Sequence, residues 1–176
     1  MKPLLFLHIF TFLLLGCSTV SAGKPNILVL IVDDLGYGDL SSYGAKDLQT
    51  PHIDKLMAAG MRFDSFYANC PVCSPTRAAL LCGRYQELVG VPGVVRTHAA
   101  NNWGYLAQDA ILLPQVLKPE GYHTAIIGKW HLGGAAHYPE THGFDVNIGG
   151  TIWDAPNSYF YPYHGSNYFS DYRYVP

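Results

Sequence analysis

The sequence predicts a doubly wound α/β fold, and three observations carry that prediction. An uninterrupted apolar run, Ile27 to Val32 in "NILVLIVDD", stops abruptly at two aspartates. Segments with readable helix starts and stops follow it. A second short strand-like segment, Thr124 to Ile127 in "YHTAIIGKW", lies beyond a further helix. Continuous rather than alternating apolar residues indicate strands buried on both faces, the habit of central parallel strands. Strands alternating with helices then give the doubly wound pattern.

The elements follow in order. "MKPLLFLHIFTFLLLGCSTVSAG" has the charged start, apolar middle and small-residue end of a secretory signal, so residues 1–22 are read as a leader and 23–176 as one domain. Two exits are visible: "VSA" before Gly23 suits ordinary cleavage, and "LLGC" ending at Cys17 resembles a lipoprotein cleavage box. The apolar run is short of the ~20 residues that span a bilayer. The expectation is export, to the periplasm, the medium or a lipid anchor, with the membrane touched only through that anchor. "TPHIDKLMAAG" reads as a helix with Thr50 as N-cap, Pro51 first, Ile53, Leu56 and Met57 on one face, and Gly60 as the stop. "MRFDSFYA" alternates as a short strand would. "LLPQVLKPEG" reads as a short helix closed by Pro119 and Gly121 ahead of the strand around Thr124 to Ile127. From Trp153 onward Tyr, Pro, Asn and Ser crowd the chain without a helical period, which suits an ordered loop or an aromatic wall facing a substrate.

Composition narrows the function. Hydrophobic content of 49% and charged content of 14% over 176 residues describe a chain with a buried core. A formal net charge of −2 and the lack of any Lys/Arg run argue against a nucleic-acid partner.

The chemistry concentrates in "NCPVCSPTRAALLCGRY". Pro75 suits the first turn of a helix, with Ser74 as N-cap and Gly83 as the stop. Cys73 then sits just outside a helix N-terminus, where free N–H groups and the dipole favour an anion. Arg77, on the first turn, adds a bidentate donor for an oxyanion or for the side chain at position 73. Competing readings are a redox pair Cys70–Cys73, a zinc clip and a Cys70–Cys82 staple. Asp33 and Asp34 end a strand, where adjacent carboxylates repel unless a hard cation such as calcium or magnesium sits between them. Lys129 and His131 would project to one side of an extended backbone, a point charge beside a group that moves protons near neutral pH. His137 and His142 are read as loop or packing residues.

The C-x-P-x-R pattern opening a helix that ends in "GRY" resembles the signature of sulfatases. Three other segments resemble that family in the same order: "NILVLIVDDLGYGDLSSYG", "LQTPHIDKLMAAGMRFDSFYA", and "GYHTAIIGKWHLG" with "HGFD". Thr76 and Cys82 depart from the commonest form, which has Ser and then Thr or Ser.

The resemblance implies an alkaline-phosphatase-like α/β fold and hydrolysis of an aryl or carbohydrate sulfate. It implies that a maturation enzyme converts Cys73 to formylglycine. One hydroxyl of the hydrated aldehyde would attack sulfur, and the other would help expel sulfate as the aldehyde re-forms. Asp33, Asp34 and the side chain at position 73 would hold Ca2+ or Mg2+; Arg77, Lys129 and His131 would complete the catalytic set. Rival readings are a phosphomonoester or phosphonate hydrolase of the same superfamily and a non-catalytic sulfatase-like fragment. Further ligands are expected from a C-terminal half, because Asp145 and Asn147 in "GFDVN" come too early in the motif order. The expectation is therefore an N-terminal part, with about three central strands, deficient and poorly stable by itself.

Overall fold

A computed structural model describes residues 23–156 together with Tyr159 and Phe160. The leader 1–22 with Cys17, and most of the Tyr-rich segment, lie outside the described residues. The chain divides into two compact units, Met1–Tyr37 and Gly38–Pro176.

In the first unit, residues 23–37 form neither helix nor strand, only turns, one of them at Asp33–Asp34. The buried strand expected over Ile27 to Val32 is not formed, and these six residues are between 46% and 83% exposed. The physical reason is pairing: a strand buried on both faces needs neighbours, and the sheet of the described residues has two strands, both far along the chain.

The second unit carries the regular elements. Helix α1 (Pro51–Ala59) matches the segment read from Thr50 to Gly60. The Thr50 hydroxyl is turned to Asp54 Oδ1 at 2.9 Å and accepts the Ser41 N–H at 3.0 Å, instead of capping the helix N–H groups. The expected apolar face is open, with Ile53 and Leu56 exposed. The strand expected over "MRFDSFYA" is a turn, its Phe63 and Phe66 exposed.

Helix α2 (Cys73–Cys82) ends at Gly83, whose φ of 64° suits a residue without a Cβ and whose N–H returns to the Ala79 carbonyl at 2.9 Å. Helix α3 (Leu113–Leu117) is closed by a 3-10 turn over Lys118–Glu120 and by Gly121. Gln115 reaches back to accept the Leu112 N–H at 2.8 Å, which satisfies one of the orphan donors at its start. Strand β1 (Ala125–Ile127) pairs in parallel with β2 (Val146–Ile148), Ala125 opposite Val146. Among the described residues the sheet therefore has two strands where about three were expected, and β2 had no sequence reading of its own.

The core of this unit gathers Ala78 from α2 with Val89, Val91, Val95, Leu106, Leu112, Trp130 and Leu132. Trp130, 1% exposed, donates its indole N–H to the His137 carbonyl at 2.7 Å and meets Phe144 edge-on. Burial of this kind stabilises by roughly 25 cal/mol per Å² of apolar surface. His137 stacks on Tyr105 and His142 is fully buried near Trp130, so both do the packing work read for them. Asp145 accepts from Lys118 at 2.6 Å and from the Thr124 N–H at 2.8 Å, which ties the approach to β1 to the approach to β2. No helix of the described residues is long and apolar enough to cross a membrane.

Candidate active site

The site grows from the first turn of α2. Cys73 is the first helical residue and Val72 occupies the N-cap position without a side-chain cap. Ser74 is therefore not the N-cap. It is fully buried, and its hydroxyl accepts the Val95 N–H at 3.0 Å. A buried N–H without an acceptor costs more than a capping bond returns, so the inward use of Ser74 prevails. Thr76 donates to the Cys70 carbonyl at 2.5 Å and holds the entry to the helix. All three described cysteines carry free thiols, so the Cys70–Cys82 staple is not formed.

A second segment reaches the same place. Strand β1 stops at Gly128, whose φ of 102° turns the chain, and His131 has a φ of 59°. Lys129 and His131 are therefore not side by side on extended backbone, as expected, but lie on a loop bent at both ends. His131 points inward, 3% exposed, with Nδ1 at 3.3 Å from Cys73 Sγ and Nε2 at 2.8 Å from the Val95 carbonyl. A carbonyl only accepts, so Nε2 carries the ring proton and Nδ1 presents its lone pair to Cys73. Burial pushes the His131 imidazole below its ordinary pKa, with Lys129 and Arg77 acting in the same sense and Val95 and Asp154 opposing. The ring is thus neutral near pH 7 and poised to accept a proton from the group at position 73.

Arg77 packs behind this pair. It is 9% exposed and donates from Nη1 to the Lys129 carbonyl at 2.7 Å, tying α2 to the loop that carries His131. Lys129 is half-buried and meets Arg77 through its backbone. The structure brings Cys73, Arg77, Lys129 and His131 into one neighbourhood. Asp33 and Asp34 belong to the first unit, both exposed, with Asp34 at a φ of 58°.

A cavity of about 330 Å³ opens beside Cys73 and His131, lined also by Val95, Asn101, Trp153 and Asp154. Of these, the Val95 carbonyl could not be found by sequence reasoning, because a backbone acceptor leaves no side-chain signature. Asp154 carried a signal, an acid next to the aromatic that opens the Tyr-rich segment, but no spacing pointed to it.

A divalent cation asks for hard oxygen donors, about six or more. Asp33 and Asp34 are the right chemical type, yet the described residues gather no cluster of three or more His, Cys, Asp or Glu that could hold a metal ion. The donors present among the described residues do not make a cation site by themselves.

The sulfatase family model matches residues 25–174. N-acetylgalactosamine-6-sulfatase of Sus scrofa is 45% identical over 148 residues, covering 79% of this chain and 27% of the relative. Arylsulfatase A of Bos taurus is 45% identical over 141 residues, covering 78% and 27%. A crystal structure of Ps i-CgsB in complex with k-i-k-neocarrahexaose superposes with a TM-score of 0.66 at 38% identity, covering 73% of this chain and 28% of that one. The chain thus spans about a quarter of the length of the curated relatives it matches, and the alkaline-phosphatase-like α/β fold expected from the motifs is the fold of its structural neighbours. The match extends over most of the chain and includes the helix that bears Cys73: the chain belongs to the sulfatase family.

Proposed function

We propose that this chain supplies the nucleophile-bearing part of a sulfate ester hydrolase, acting on an aryl or carbohydrate sulfate. The observation that carries the reading is the approach of Cys73 Sγ to His131 Nδ1 at 3.3 Å, beside an open cavity and at the N-terminus of α2. Membership of the sulfatase family supports it, as does the likeness to N-acetylgalactosamine-6-sulfatase and arylsulfatase A.

Formylglycine made from Cys73 by a maturation enzyme would supply a hydrated aldehyde whose hydroxyl attacks sulfur. The chain's own residues then have separable roles. His131 Nδ1 accepts a proton from the group at position 73, and its Nε2–H bond to Val95 keeps that lone pair aimed. The N-terminus of α2 sets the positive end of its dipole at position 73, which favours the negative charge of the sulfate group. Arg77 holds the helix against the His131 loop and offsets negative charge nearby, and Lys129 neutralises charge developing on sulfate. Asp33 and Asp34 are assigned as carboxylate donors to Ca2+ or Mg2+ on donor chemistry alone. Export through the leader is part of the same reading.

An activity panel on the full-length, matured protein tests it, with 4-nitrophenyl sulfate set against 4-nitrophenyl phosphate and phosphonate. Preferential turnover of the sulfate is expected. Preference for either phosphorus ester would assign the chain to the related phosphohydrolases, and no turnover of any ester would remove the catalytic reading.

A further inference from the structure

The cavity beside Cys73 has two walls, and backbone hydrogen bonds tie each of them to the catalytic pair. The first wall contains Val95, whose N–H donates to Ser74 Oγ and whose carbonyl accepts from His131. The second contains Trp153 and Asp154. It follows Thr151, whose carbonyl accepts the His131 N–H at 2.9 Å and whose hydroxyl accepts the Trp153 N–H at 3.3 Å. Trp153 and Asp154 are therefore held at a set offset from the histidine that serves the nucleophile.

The chemistry of the walls is mixed in a particular way. The aromatic Trp153 lines the cavity together with Val94 and Val95 and with polar side chains that include Asp154, Asn101 and Arg96. We propose that Trp153 and Asp154 form a leaving-group subsite that selects a hydroxyl-rich pyranose ring over an apolar ring system, an inference that rests on the sulfate-ester reading of Cys73. A pyranose has an apolar C–H face to lie on the indole and hydroxyls to donate to the Asp154 carboxylate. A fused hydrocarbon ring system would strip water from Asp154, Asn101 and Arg96 and return no hydrogen bond, which is a net cost.

The test uses the full-length, matured protein and its Trp153→Ala and Asp154→Asn variants. Substrates are galactose and glucose sulfated singly at O2, O3, O4 or O6, with 4-nitrophenyl sulfate as the reference that lacks sugar hydroxyls. Each variant is expected to lower the ratio of kcat/KM on the preferred sugar sulfate to that on 4-nitrophenyl sulfate by about tenfold or more. Equal losses on both substrates, or no loss on either, would overturn the subsite. Binding supplies a readout that needs no turnover: calorimetric titration of Cys73→Ala protein with the same sugar sulfates and with inorganic sulfate. Adding Trp153→Ala should weaken the sugar sulfate about fivefold or more and leave inorganic sulfate unchanged. Sugar affinity that is undetectable, or indifferent to Trp153, overturns the subsite whatever the activity. Trp153-dependent sugar binding in a protein that hydrolyses no sulfate ester would instead sink the hydrolase reading and leave the subsite standing.

Discussion

Replacing Ser74 with Ala removes one oxygen and adds nothing, yet it should disturb both the helix that bears Cys73 and the histidine opposite. The Ser74 hydroxyl accepts the Val95 N–H at 3.0 Å in a place with no solvent exposure, so no water can take over the bond. Leaving that donor buried and unsatisfied costs about 1–3 kcal/mol. A Ser→Ala change on an exposed surface stays within about 0.5 kcal/mol, so the two cases are separable. The effect does not stop at Val95, whose carbonyl is the acceptor for His131 Nε2 at 2.8 Å. Ser74→Ala and His131→Ala therefore act on opposite sides of one peptide segment, and a shared network of this kind couples by about 0.5–3 kcal/mol. Chemical denaturation of the full-length protein measures the single and double changes, and hydrogen exchange reads the Val95 amide directly. Destabilisation below about 0.5 kcal/mol with an unchanged Val95 exchange rate would show that the Ser74 hydroxyl does not hold the Val95 amide, and strict additivity of the pair would show that Ser74 and His131 are not coupled through Val95.

Other expectations follow from the same structure. Burial pushes the His142 imidazole below its ordinary pKa, so the folded state resists a proton that the unfolded chain accepts. Stability linked to His142 is then fully present above the unfolded pKa of about 6.5 and is lost as pH falls below it. Unfolding midpoints measured from neutral to mildly acidic pH should fall less steeply for His142→Phe than for the wild type; parallel slopes would show that His142 is not responsible. Asp33→Ala and Asp34→Ala should each weaken calcium or magnesium binding in calorimetric titration of the full-length protein, and unchanged affinity in both would reduce the pair to a turn. Gly90→Ala should destabilise by more than about 1 kcal/mol, because φ is 82° there and a Cβ would lie 2.6 Å from the Tyr105 carbonyl oxygen. A denaturation midpoint unchanged by that substitution would contradict the close approach.

Local signals were legible in the sequence and long-range ones were not. The limits of α1, the Gly83 stop of α2 and the strand after Gly121 follow from capping chemistry and short-range pattern, and they stand within a residue or two of the reading. The run Ile27 to Val32 shows the opposite case. Its apolar continuity states what the segment needs, but a strand forms only where partners take its N–H and C=O groups, and the described residues offer none to it. Ser74 was misplaced because an N-cap preference is worth about 1 kcal/mol and a buried acceptor role can outweigh it. The meeting of Cys73 with His131, 58 residues apart, was legible only through motif resemblance. The Val95 carbonyl that aims the ring, and the Thr151 carbonyl that holds its backbone, are main-chain groups that composition cannot announce.

Peptide mass spectrometry of the full-length protein shows whether Cys73 is the residue on which the chemistry is built. Coexpressed with an active maturation enzyme, the peptide containing Cys73 should show the mass loss of a thiol-bearing carbon becoming an aldehyde, and it should react with a hydrazide. The peptides carrying Cys70 and Cys82 should keep their thiols. An unmodified thiol at Cys73, with the maturation enzyme shown to be active on a control peptide, would remove Cys73 as the source of the nucleophile.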